Sequence, residues 1–90
     1  MATYHEVRPD ILDSIRRYAE HGVPTGSFLR AVLENDLREA FGRADDDNRE
    51  AMFHIVRFCW NEIPGDCWGT PARVKAWIDK HAEARKLAQQ

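Results

Sequence analysis

Cysteine is scarce in this sequence. Cys59 and Cys67 are the only two in 90 residues, and their spacing fits neither a CxxC pair nor the framework of a disulfide-stapled secreted domain. The four histidines, His5, His21, His54 and His81, show no metal-ligand spacing with one another or with the cysteines, which argues against a zinc module. Positive charge is not in excess: 13 Lys and Arg stand against 15 Asp and Glu, for a formal net charge of -2. That balance excludes a general binder of long nucleic acid, which needs a basic footprint. It still permits a small phosphorylated ligand, for which a few well-placed donors suffice. No apolar run approaches the roughly 18 residues of a membrane span, and the start "MATYHEVRPD" lacks an apolar signal core. The chain is therefore read as soluble and cytoplasmic. Nucleophile elbow, Walker loop, HExxH helix and zinc ribbon are all missing, so no enzyme, no cofactor and no metal ion is expected.

Aromatic and aliphatic residues are plentiful. Hydrophobic residues make up 43% of the chain, with three Trp and four Phe. A chain this short sits near the size at which a single core becomes marginal, so an oligomer is expected. The expected fold is all-α: one compact bundle of about four helices over residues 1–90, oligomeric, with a flexible N-terminal arm (about 1–8) and tail (84–90).

The first helix is expected from about Pro9 to His21, with proline at the first helical position and Gly22 as the left-handed stop. Ile11, Leu12, Ile15, Tyr18 and Ala19 form its apolar stripe, Tyr18 at the edge. A second helix runs from Thr25 or Gly26 to Phe41 and buries Phe28, Leu29, Val32, Leu33, Leu37, Ala40 and Phe41. Asp36 falls near the middle of that face, where a carboxylate must be paired or hydrogen-bonded. It is read as a cap for another helix or an acceptor from Trp or Tyr, with a ligand or interface role as the alternative. A third helix spans Asp46 or Asp47 to Ile63, Asp47 and Glu50 having capping-box spacing. Met52, Ile55, Val56, Cys59, Trp60 and Ile63 mark its core face, with Phe53 and Phe58 on the flanks. A helix so widely apolar belongs at a bundle centre or a subunit contact. The fourth helix starts with Thr70 as N-cap and Pro71 at the first position. It turns Val74, Trp77, Ile78 and His81 inward and frays from about Ala84.

Chemistry is sought at two helix starts. "PTGSF" offers free backbone N–H groups, the hydroxyls of Thr25 and Ser27, and Gly26, which lets a ligand approach the main chain. Arg30 adds a charged donor there. "GTPAR" repeats the pattern with Thr70 and Arg73. Ordinary helix capping is the commoner reason for Ser and Thr at such positions. Tyr4 and Tyr18 are the tyrosines available for base stacking, or else they pack in the core.

The runs "GVPTGSFLRAVLENDLREAFGRAD" and "NEIPGDCWGTP", within a match over about residues 8–79, resemble a family of small tailed-phage proteins, the anti-CBASS cyclic-oligonucleotide sponges. The resemblance implies a compact helical homohexamer in the cytoplasm of an infected bacterium. Such a protein sequesters cyclic di- and trinucleotide signals without cleaving them. It also implies an aromatic side chain against each base and a basic one near the phosphates, in pockets shared between protomers. The first lysine is Lys75, so a basic contact in the first half falls to an arginine such as Arg8 or Arg30, with Tyr4 and Tyr18 competing for the stacking role. On this reading, replacing Ser27 or Arg30 weakens ligand binding and leaves the assembly intact. The alternative is a small phage protein that binds and inhibits a host protein.

Overall fold

In the computed structural model, which describes residues 4–88, Pro9 opens helix α1 (Pro9–His21). Gly22 closes it in the left-handed conformation, φ 65°, with its N–H on the Tyr18 carbonyl. The helices that follow are α2 (Ser27–Leu33), α3 (Leu37–Arg43), α4 (Asp46–Glu50) and α5 (Met52–Glu62). A 3-10 turn (Gly65–Cys67) then leads into α6 (Pro71–Ala88). The described residues contain helices and turns and no strand, in agreement with the expected all-α class. No helix among them is long and apolar enough to cross a membrane.

The expected four helices become six because two of them break. Between α2 and α3, Asn35 takes φ 62° and Asp36 caps α3 by accepting from the Glu39 N–H. The Leu33 carbonyl accepts from the Gly69 N–H, a donor from far along the chain. Asp36 is thus an exposed N-cap of its own following helix, not a residue on a buried face. The change of direction also carries Leu37 and Phe41 into solvent. The third expected helix is interrupted by the single residue Ala51. Its cap is Asp45, which accepts from the Asn48 N–H at 2.8 Å, in place of the expected Asp47.

The core gathers Ile11, Ile15 and Tyr18 of α1, Leu29, Val32 and Leu33 of α2, Met52, Ile55, Phe58 and Cys59 of α5, and Val74 of α6. Each aliphatic or phenyl side chain buried so fully contributes roughly 1.5–3 kcal/mol. The face of α5 differs from the expected one. Phe58 is buried, whereas Val56 and Trp60 are exposed. The cause lies in the N-terminal segment, where Tyr4 and Val7 are buried and the Tyr4 ring meets Phe58 edge-on at 4.9 Å. That segment covers the Phe58 side and leaves the opposite side of α5 open.

Tyr4 and Val7 of the expected arm are buried, and α6 continues past Ala84 to Ala88. Residues 1–3 of the arm and 89–90 of the tail lie outside the described residues. Arg85 donates to the His21 carbonyl at 2.7 Å, tying the far part of α6 to the end of α1.

Candidate functional site

The "PTGS" turn packs the start of α2 against the start of α1 and the α3–α4 junction. A depression of about 370 Å³ there is lined by Arg8, Ser14, Gly26, Ser27, Arg43 and Asp45, among others. Arg8, Gly26 and Ser27 are thus brought together, as a phosphate cradle requires. Its charge is already matched, however. Arg8 donates to Asp45 at 2.8 Å and to Asp10 at 3.2 Å, and those hydrogen bonds raise the guanidinium above its ordinary range. The Asn48 N–H and Arg8 together hold the Asp45 carboxyl below the usual carboxylate range. An entering anion would have to displace a carboxylate held by two donors.

Ser27 also borders a neighbouring depression of about 310 Å³ with Arg30, Glu34, Glu39 and Arg43. In it Arg30 pairs with Glu34, and Arg43 with Glu39 at 2.9 Å. Gly26 is the N-cap of α2, with no side-chain capping bond. Thr25 turns its hydroxyl to the Gly26 carbonyl at 3.3 Å and lines neither depression.

Neither tyrosine presents a free face. Tyr18 is 0% exposed, and its hydroxyl donates to the Cys67 carbonyl at 2.6 Å. Its place is the centre of the core, not the edge of the stripe, because the 3-10 turn supplies a buried acceptor. Tyr4 has Phe58 at its edge, the Arg57 guanidinium 4.8 Å from its ring centre, and Asn61 donating to its hydroxyl. The stacking role expected of these residues has no exposed ring face to act through.

The second helix start is built differently. Val56, Trp60 and Ile63 of α5 and its C-terminal edge form one wall of a cleft of about 490 Å³; Asn35, Gly65, Trp68, Gly69 and Arg73 complete it. Thr70 caps α6 by accepting from the Arg73 N–H at 3.1 Å, as its sequence position predicts. Gly69, at φ 111°, makes the sharp turn that brings Trp68 back alongside α5. The Arg73 guanidinium reaches over this turn to the carbonyls of Gly65 (3.3 Å) and Trp68 (3.5 Å). It remains exposed beside Trp60, an indole with 79% of its surface in water. Two indoles and a guanidinium whose partners are neutral carbonyls therefore share one cleft at the positive end of an 18-residue helix. Of the residues expected at this helix start, Arg73 lines the cleft and Thr70 caps α6, whereas Trp60 is expected in the core and Trp68 carries no sequence expectation. The available signal was the placing of both tryptophans around one turn, "CWNEIPGDCWGTPAR".

A third depression, of about 380 Å³, is lined by Glu6, Arg8, Asp47, Glu50 and His54, among others. A backbone hydrogen bond, helped by His5, His54 and Arg57, holds the Glu6 carboxyl below its ordinary range. Its carboxylates suit an anion poorly. Among the described residues no group of three or more His, Cys, Asp or Glu side chains is placed to hold a metal ion. Burial pushes the Cys59 thiol up to about 12 and the Cys67 thiol up to about 11, the opposite of what a nucleophile needs. Compared with known proteins, the chain matches no family model, no curated protein and no solved structure.

Proposed function

We propose that this protein is a non-catalytic binder that takes up and holds a cyclic di- or trinucleotide. The observation that carries the reading is the cleft where Trp60 and Trp68 stand with Arg73. Indole faces stack on any base, and a guanidinium forks onto phosphate oxygens. The N-terminus of α6 adds a partial positive charge beside them. A volume of about 490 Å³ lies within the range of small-ligand sites, roughly 300–1,000 Å³. On this reading Arg73 is the phosphate contact, Thr70 caps α6 beside it, and the tryptophans take the stacking role in place of Tyr4 and Tyr18. The resemblance in "NEIPGDCWGTP", which runs along one side of this cleft, supports the same ligand class. Holding a ligand asks nothing of the buried thiols.

Tryptophan fluorescence tests the reading. Titration with 3′,3′-cyclic GMP–AMP and with cyclic triadenylate is expected to quench and shift the emission saturably with at least one of them, through stacking on Trp60 and Trp68. Emission unchanged by both overturns the proposal.

A further inference from the structure

Asn48 is the one buried polar residue among those described, only 5% exposed. Its backbone N–H goes to the Asp45 cap, but its side-chain amide has no hydrogen-bond partner among the described residues. A second polar atom is stranded on the same depression. His54 Nδ1 is buried and makes no hydrogen bond, with a Glu6 carboxylate oxygen 3.9 Å away. Buried polar groups are nearly always paired, so two that are not call for a partner the chain does not supply. Both residues line the depression of about 380 Å³ around Glu6 and Glu50. Asn48 also borders the depression at the "PTGS" turn, which His54 does not line.

Negative charge is in excess there. Glu6, Asp47 and Glu50 line the depression against the single arginine Arg8, which is engaged by Asp10 and Asp45 and stands 3.9 Å from Asp47. Arg57 lies 4.0 Å from Glu6, and Glu50 has no ion pair among the described residues. The carboxylate oxygens and Asn48 Oδ1 are acceptors, as is His54 Nδ1 when the ring proton sits on Nε2. Such a lining fits a ligand that is positive and rich in donors, and an ammonium group offers three N–H bonds. Among the described residues no three His, Cys, Asp or Glu side chains are placed to hold a metal ion. Carboxylates spread out in this way suit positive charges strung along a chain.

We propose that this depression binds a linear polyamine. Asn48 Oδ1 and His54 Nδ1 accept from its ammonium groups, and Glu6, Asp47 and Glu50 balance their charge. The depression is of a size for a small ligand. It shares no lining residue with the tryptophan cleft, so the polyamine site and the nucleotide reading stand or fall separately.

Calorimetric titration of the full chain with spermidine, at roughly physiological ionic strength, tests it. Saturable binding of one spermidine per chain is expected. Glu50→Gln and Asn48→Ala are each expected to weaken it at least about tenfold, the loss of one charged hydrogen bond. Asn48→Ala removes a buried amide that has no partner, so its urea midpoint should hold or rise. Glu83→Gln makes the same change of charge on α6, outside the depression, and should bind as the wild type does. Three results would overturn the proposal. The first is no saturable heat from the wild type, the outcome if water alone satisfies the two stranded atoms. The second is Glu50→Gln or Asn48→Ala binding as tightly as the wild type. The third is Glu83→Gln weakening binding as much as Glu50→Gln, the mark of diffuse charge attraction.

Discussion

The Tyr18 hydroxyl donates to the Cys67 carbonyl across 2.6 Å, joining residues 49 apart in the chain. That bond fixes the 3-10 turn against α1. The Trp77 indole N–H, which donates to the Tyr18 carbonyl at 2.9 Å, fixes α6 against the same residue. One buried side chain and its own backbone thus hold both ends of the segment that builds the tryptophan cleft. Tyr18→Phe keeps the ring and strands the Cys67 carbonyl. The expected cost is about 1–3 kcal/mol, the penalty for a buried acceptor without its donor, read as a lower midpoint in urea unfolding with an unchanged slope.

Alkali should unfold the protein early. Burial raises the Tyr18 phenol above its usual range and the Cys59 and Cys67 thiols to about 12 and about 11. Unfolded thiols release protons from about pH 9 while the folded ones still hold theirs. The unfolded state then binds fewer protons, and stability falls as pH rises. Stability is expected to be insensitive to these groups below about pH 9 and to decline between about 9 and 12, as thermal melts would show. For the same reason both thiols should resist thiol reagents in the native state at about pH 8 and react once unfolded.

The α2–α3 break is a designed turn with separable parts. Asp36→Ala removes the cap on the Glu39 N–H and is expected to cost about 0.5–2 kcal/mol. Asn35→Gly relieves a non-glycine residue at φ 62° and should be neutral or stabilising. Chemical denaturation of the two variants should move their midpoints in opposite directions, or leave that of Asn35→Gly unmoved.

Substitution tests the proposed site against the other helix start. The Arg30–Glu34 pair and the carboxylates around Arg8 make the "PTGS" turn a poor anion site, so Ser27→Ala and Arg30→Ala are expected to leave nucleotide affinity unchanged. Arg73→Gln is expected to weaken it by about tenfold or more, the loss of one charged hydrogen bond to phosphate. Fluorescence titration of the three variants separates the two sites.

Local signals are legible in the sequence. Pro9, Gly22, Thr70 and Pro71 act through the backbone of their own neighbourhood, and α1 and the start of α6 stand where those residues put them. The two helix breaks were less legible. Asn35–Asp36 is a stop followed by a cap, but it sits inside an apolar repeat that continues through it, and the Gly69 N–H that takes the Leu33 carbonyl comes from far along the chain. The open face of α5 was illegible for a related reason. Periodicity shows that the helix is apolar nearly all round; the contact of Tyr4 with Phe58 decides which side is covered. The tryptophan cleft depends on the Gly65–Thr70 turn folding back on α5, a tertiary fact with only the two flanking tryptophans to announce it.

The most direct test of the central claim is a calorimetric titration of the purified protein with 3′,3′-cyclic GMP–AMP and cyclic triadenylate, followed by heat denaturation and chromatography of what is released. Tight, saturable binding of one of them with the ligand recovered intact is the predicted result. The absence of binding heat with both, or recovery of a cleaved ligand, would contradict a protein that acts by holding its nucleotide.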